Sequence, residues 1–142
     1  MGWTRYWQRG TELPEAAFAQ AVDDCSRLLG QVNIPLAGPD GTGSPIFRAD
    51  LIVFNGAAPH NCEGFEIHQI ETSRRGAGKF WSFCKTEHLP YDFCVQLALV
   101  VLKHHLADSL DVATDGDGTD WQIARNKCEE IFGYGRDFRL RG

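Results

Sequence analysis

The stretch Pro90-Tyr-Asp-Phe-Cys-Val-Gln-Leu-Ala-Leu-Val-Val-Leu-Lys-His-His-Leu-Ala107 decides the fold of this 142-residue chain. Pro90 suits a first helical position. The segment is apolar nearly all round, except for a narrow stripe formed by Asp92, Gln96 and Lys103. A helix with so little polar surface is buried in a globular domain. We therefore predict that this helix forms the buried centre of the fold.

Two amphipathic helices are predicted on either side of the central one along the chain. The first opens at Pro14 and stops at Gly30. The second opens at Thr119, which forms a capping-box pattern with Gln122, and ends at Gly133. Their apolar residues recur at helical spacing: Phe18, Ala21, Val22, Cys25, Leu28 and Leu29 in the first, and Trp121, Ala124, Cys128, Ile131 and Phe132 in the second.

The remaining segments predict strands and loops. Residues 35–45 hold three prolines and three glycines, which is typical of a loop. Arg74–Gly78 has the composition of a hairpin turn, so a meander is expected around it. The predicted strands are Trp3–Gln8, Leu51–Phe54, Gly64–Glu71, Phe80–Cys84 and Leu110–Ala113.

This order of elements predicts an α+β fold. We expect a single domain over residues 1–142, in which a central antiparallel or mixed sheet of about four to five strands packs with three helices. Residues 135–142 are expected to form a mobile tail.

Composition excludes several classes of protein. The chain has 14 Lys and Arg against 19 Asp and Glu, a net charge of −5, which opposes non-specific binding to nucleic acid. The longest apolar run, Phe93–Leu102, is interrupted by Gln96 and is too short for a membrane span. The five cysteines never form a C-x-x-C pair, which argues against a disulfide framework. We expect a soluble, cytoplasmic protein.

The sequence contains no motif that names a reaction. His60-Asn61-Cys62-Glu63, followed by Glu66 and His68, offers metal-ligand types, but the spacing of a zinc deaminase is missing. We therefore predict neither a metal nor a cofactor. Glu66 and His68 share one face of a predicted strand, so they are the catalytic candidates, a base with an orienting carboxylate.

A second group of residues has the features of an anion site. Lys85 and Thr86 lie just before the central helix, where free amides and the helix dipole favour negative charge. Trp3, Arg5 and Trp7 share one face of the first predicted strand, and aromatic rings beside a guanidinium can stack a base and bind its phosphate. Basic residues also cluster before the central helix, at Arg74, Arg75, Lys79 and Lys85.

Short blocks along nearly the whole chain resemble one family of small proteins. They are Met1–Trp7, Phe54–Gly56, Cys62–Phe65, Phe83–Thr86, Pro90–Asp92 and Asp115-Gly116 before Trp121. The family is common in tailed bacteriophages and prophages and typically opens M-G-Y-T-H-Y-W. Trp3 and Arg5 stand where it has Tyr and His, so a role that needs a histidine at position 5 does not carry over. The resemblance implies the setting of a phage accessory protein rather than a mechanism.

These observations favour a non-enzymatic binder that acts in counter-defence, either by sequestering a nucleotide-type signal or by blocking a host defence protein. Its expected ligand-binding residues are Trp3, Arg5, Trp7, Asn55, Lys85, Thr86, Tyr91 and Asp92. One alternative is a small enzyme that processes a nucleotide or nucleic acid, using Glu66, His68, Lys85 and Asp92. Another is a structural or assembly module with no ligand, in which the aromatic residues are all core.

Overall fold

The computed structural model describes residues 3–72, 78–115 and 118–141. Within these ranges the chain forms three α-helices and seven strands, which confirms the α+β fold class. The elements are β1 (Thr4–Arg9), α1 (Glu15–Leu29), β2 (Leu36–Ala37), β3 (Ile46–Arg48), β4 (Leu51–Gly56), β5 (Phe65–His68), β6 (Phe80–Lys85), α2 (Asp92–Leu106), β7 (Leu110–Thr114) and α3 (Gln122–Phe132). Two 3₁₀ turns, Ala107–Ser109 and Thr119–Trp121, precede β7 and α3.

Helix α2 is the buried centre that its sequence predicts. Helices α1 and α3 both pack against it, and β7 lies beside it. Its side chains from Cys94 to Leu102 are at most 4% exposed. The polar stripe of α2 also contacts the protein. Asp92 and Gln96 are buried, and Lys103 Nζ donates to the carbonyl oxygen of Leu110 at 2.6 Å. Full burial of each large apolar side chain contributes about 1.5–3 kcal/mol, so α2 dominates the core.

In the described part of the chain the strands form two antiparallel sheets instead of one. The first has the order β6-β1-β7, with β1 in the middle. In the second, β4 pairs with β3, β5 and β2. Strands β3 and β5 lie on opposite edges of β4, since both pair with the same residues, Leu51–Val53. The two sheets therefore each present an edge strand, β5 in one and β6 in the other.

The break between the sheets falls where a meander was expected. Strands β5 and β6 follow each other in the chain, but β6 pairs with β1 along all six of its residues and β5 pairs with β4. The predicted turn Arg74–Gly78 lies outside the described residues except for Gly78. Because alternation specifies which side chains are buried and not which strand is the neighbour, the sequence pattern is compatible with either pairing.

Three other segments differ from their predicted structure. Helix α3 starts at Gln122 because Thr119–Trp121 forms a 3₁₀ turn first. Residues 135–141, part of the segment predicted to be a mobile tail, pack on the domain: Phe138 is 6% exposed, its ring lies 5.2 Å from that of Trp121, and the amide of Arg141 donates to the carbonyl oxygen of Val112 at 2.8 Å. The short strand β2 lies inside the loop predicted over residues 35–45.

Four of the five cysteines are buried as free thiols, and this sets an expected pH dependence. Burial raises the pKa of the Cys94 and Cys128 thiols to about 12, from an ordinary value of 9.0. The unfolded chain releases these protons near pH 9, whereas the folded chain retains them. We therefore expect the free energy of unfolding, measured by urea denaturation, to fall as the pH rises from about 9 towards 12.

A double variant, Cys94→Ala with Cys128→Ala, is the control for this dependence. It should be less stable at pH 7, because two buried side chains are shortened, but its stability should decline less steeply above pH 9. An equal slope in both proteins would assign the alkaline loss of stability to other groups.

Candidate functional site

The residues predicted to bind an anion fold around Arg5, whose side chain is fully buried. Its guanidinium makes a two-pronged contact with Asp92, from Nε to Oδ1 at 2.9 Å and from Nη2 to Oδ2 at 2.6 Å. Nη2 also donates to Asp120 Oδ2 at 2.8 Å, and Nη1 donates to the hydroxyl of Thr114. Two-pronged arginine–carboxylate contacts are among the strongest side-chain hydrogen bonds. Arg5 thus joins β1 to the first turn of α2, to the end of β7 and to the 3₁₀ turn before α3.

Aromatic rings and a hydroxyl complete this Arg5 cluster, which comprises Trp3, Arg5, Thr86, Asp92, Thr114, Asp120 and Trp121. The guanidinium carbon lies 5.3 Å from the ring centre of Trp3 and 5.2 Å from that of Trp121, within cation–π range. The Thr86 hydroxyl donates to Asp92 Oδ1 at 2.6 Å. The cluster brings together Trp3, Arg5, Thr86 and Asp92 of the predicted site.

The same contacts decide what the cluster can do chemically. Four of the five N–H groups of Arg5 have internal acceptors, so few donors of the guanidinium are left for a phosphate. The positive end of the α2 dipole already faces a carboxylate, because Asp92 is the first residue of the helix. The geometry makes the Arg5 cluster a structural clamp.

Three further predicted residues make their hydrogen bonds outside the clamp. Lys85 is half-buried and pairs with Glu87 at 3.0 Å, and this hydrogen bond raises the pKa of the lysine. The Tyr91 hydroxyl donates to the carbonyl oxygen of Glu63 at 2.6 Å. The amide of Asn55 donates to the carbonyl oxygens of Pro39 and Cys62, at 2.8 and 2.9 Å. Their hydrogen bonds hold loops in place.

Trp7, the remaining predicted ligand residue, lines an open groove of about 380 Å³ between β5 and β6. The indole is 1% exposed and its ring lies 5.1 Å from that of Phe65, so most of it belongs to the core. Its indole N–H has no hydrogen-bond acceptor among the described residues. We call this cavity the β5–β6 groove; its lining is Trp7, Gly64, Glu66, His68, Glu71, Trp81, Ser82 and Phe83.

The β5 side of the groove carries the two catalytic candidates. Glu66 and His68 lie on the exposed face of β5, with Glu66 Oε2 at 2.7 Å from His68 Nε2. Next to them, Glu71 Oε2 accepts hydrogen bonds from the backbone amide of His68 and from Arg9 Nη1, both at 3.0 Å. Arg9 is a buried cation that balances Glu71. Among the described residues, the one ion-pair partner of Glu66 is the ring of His68.

The other bank is aromatic, and sequence reasoning missed it. Trp81 is 46% exposed and Phe83 is 61% exposed, although both were assigned simply to a strand. They occupy alternate positions of β6 and therefore share a face, which we call the β6 ridge. The available signal was the alternation along β6. The other face of this strand carries Phe80, Ser82 and Cys84. The two faces cannot both be core, so one of them is left to solvent.

Other predicted features have separate positions. Arg74 and Arg75 of the basic patch lie outside the described residues, and Lys79 is exposed, with Nζ at 3.4 Å from the carbonyl oxygen of Asp108. Within the described ranges, no three His, Cys, Asp or Glu side chains converge as a metal site requires. None of the helices described is both long enough and apolar enough to cross a membrane.

The chain was compared with protein-family models, curated proteins and solved structures. No protein-family model, no curated protein and no solved structure matches the chain.

Proposed function

We propose that this protein is a non-enzymatic binder that docks on another protein through the β6 ridge and the β5–β6 groove. The observation that carries the proposal is the exposure of Trp81 and Phe83, two large aromatic side chains side by side on an edge strand. Aromatic side chains of this kind supply most of the energy at many protein interfaces. Exposing them to water has no benefit for folding.

The proposal favours a protein target over a nucleotide. Cationic donors favour the phosphates of a nucleotide, and four of the five N–H groups of Arg5 are engaged with Asp92, Asp120 and Thr114. The groove itself carries the carboxylates of Glu66 and Glu71. Negative charge there opposes a phosphate. Given the phage setting that the family resemblance implies, the proposed target is a host protein, and blocking it serves counter-defence.

The test is affinity capture from a bacterial host lysate with matched variants. We expect the wild-type protein to retain a partner that a double variant, Trp81→Ala with Phe83→Ala, loses by at least about tenfold, since each aromatic anchor contributes on the order of 1–2 kcal/mol or more. The matched control is Ile123→Ala, which removes an apolar side chain that is 70% exposed on α3. This control should retain the partner.

Two results would contradict the proposal. One is a partner retained equally by the double variant, which would place the interface elsewhere. The other is an increase in thermal stability with cyclic or ADP-ribose nucleotides that depends on Arg5, which would return the function to nucleotide binding.

A second function is favoured by one specific contact, the 2.7 Å pair of Glu66 and His68 beside an open groove. A carboxylate that orients an imidazole is the arrangement of a general base. This candidate enzyme would act on a nucleotide or nucleic acid. Lys85 and Asp92, the other two residues expected to serve this enzyme, do not line the groove. The catalytic set is therefore reduced to Glu66 and His68. A nucleotide recovered chemically unchanged after incubation would count against it, as would equal turnover by His68→Gln.

A further inference from the structure

We infer that the β5–β6 groove takes a short extended segment of the partner, one that carries arginine or lysine side chains. This inference rests on the proposed function and deepens it, because it names the chemistry of the partner. It follows from the direction of the backbone groups on both banks, the length of the groove and its charge.

The backbone of β6 turns unused hydrogen-bonding groups towards the groove. The amide of Lys85 donates to Glu63 Oε1 at 2.7 Å, and its carbonyl oxygen accepts from the amide of Glu63 at 3.1 Å. Both groups of Lys85 therefore point away from β1. Backbone groups alternate in direction along a strand, so those of Phe83 and Trp81 also point away from β1. Within the described chain these groups have no hydrogen-bond partner.

Strand β5 presents the same kind of edge from the opposite bank. The amide of His68 donates to Glu71 Oε2 at 3.0 Å and its carbonyl oxygen accepts from Arg9 Nη1, so both groups point away from β4. The amide and carbonyl of Glu66, two residues earlier, point the same way and find no acceptor or donor in the residues described. An extended segment between the two banks would meet hydrogen-bonding groups on both of its sides, which is recognition by strand addition.

The ends of the groove limit the length of that segment. Contacts between Glu63 and Lys85 close one end, and the contacts of Arg9 with Glu71 and His68 close the other. Between them lie positions 66–68 of β5 and 81–83 of β6. Three residues of extended chain span about 10 Å. The groove therefore accommodates roughly three residues.

Charge and shape decide the side chains of the segment. Outward-facing side chains of the segment would stand between the carboxylate of Glu66 and the rings of Trp81 and Phe83. A Lys or Arg side chain suits this position, because its charge would pair with the carboxylate and its cation would contact the rings. Trp81 already shows this chemistry, because the guanidinium of Arg141 lies 5.5 Å from its ring centre. The middle residue would face inward onto the indole of Trp7, and the peptide probe carries a small side chain at this position.

The probe is the peptide acetyl-Thr-Arg-Ala-Arg-Thr-amide, titrated into ¹⁵N-labelled protein and followed by NMR. We expect shifts at the amides of Glu66, Trp81 and Phe83 and at the Trp7 indole, with a Kd on the order of 1 mM. The charge-reversed peptide, with both arginines changed to glutamate, should produce no shifts. The arginine peptide N-methylated at both arginines should bind more weakly, because it has lost backbone donors.

Variants separate groove binding from general attraction to an acidic protein. Glu66→Gln should raise the Kd of the arginine peptide about three- to fivefold. Glu130→Gln removes an exposed carboxylate of α3 and should leave the Kd unchanged. No shifts with the arginine peptide, or equal shifts with the charge-reversed peptide, would overturn the inference.

The same variants separate this inference from the proposed function. A partner that depends on Trp81 and Phe83 but is captured equally by Glu66→Gln would keep the proposed function and overturn the basic segment. If the arginine peptide bound but no captured partner depended on the β6 ridge, the basic specificity of the groove would be kept and the proposed function would be overturned.

Discussion

Replacing Asp92 with alanine is expected to destabilise the protein by about 3–5 kcal/mol, because it leaves the buried guanidinium of Arg5 without its main acceptor. Arg5 is fully buried and Asp92 is 8% exposed, so the guanidinium loses its carboxylate in the interior of the protein. Asp120 is the remaining carboxylate on Arg5, and its side chain is 34% exposed. The measurement is the free energy of unfolding from urea denaturation.

A double-mutant cycle of Arg5→Met and Asp92→Leu identifies the cause of this loss. The double variant should be less destabilised than Asp92→Leu alone, since neither charge of the pair then remains in the interior. The surface control is Asp23→Ala, which breaks an exposed pair with Arg27 at 3.6 Å and should leave stability nearly unchanged. Additive losses from Arg5 and Asp92 would show that the two side chains act independently, contrary to the clamp described above.

The second large effect is expected for Trp121→Ala, at about 3–5 kcal/mol. Trp121 is 1% exposed, and its ring centre lies 5.2 Å from the guanidinium carbon of Arg5 and 5.2 Å from the ring centre of Phe138. The substitution removes a large core side chain and also the surface on which residues 135–141 pack. We expect faster amide hydrogen exchange in that segment than in the wild-type protein, in addition to the lower free energy of unfolding.

Ile123→Ala is the matched control, because Ile123 follows closely in the chain but is 70% exposed. It should change stability by less than about 0.5 kcal/mol. If Trp121→Ala lowered stability without changing exchange in residues 135–141, the tail would be held by its other contacts, such as the hydrogen bond of Arg141 to Val112.

The candidate site was predictable in part. Arg5, Thr86 and Asp92 were expected to act together, and they do lie together, because a strand and a helix start carry them to one place. Their shared contact changes the interpretation, since a guanidinium that is paired with a carboxylate of the same chain has few donors left for a ligand. The pairing of Arg5 with Asp92 spans 87 positions, and no local pattern specifies such a contact.

Glu66 and His68 were grouped correctly for a simpler reason. They are two residues apart on one strand, and alternation alone places them on the same face. Trp81 and Phe83 follow the same rule, but their exposure depends on what covers that face. Whether a layer of structure lies over a strand is a property of the whole fold, so the β6 ridge could be recognised only from the tertiary structure.

The sequence by itself determined the helices, the burial of α2 and the α+β class, because hydrophobic periodicity is a local property that survives in any packing. Only the tertiary structure decided that β1 pairs with β6 and β7, that the strands divide into two sheets and that a groove opens between β5 and β6. Backbone hydrogen bonds are the same for every pair of strands. The choice of partner therefore depends on how all the apolar faces are buried together, and that choice belongs to the folded chain as a whole.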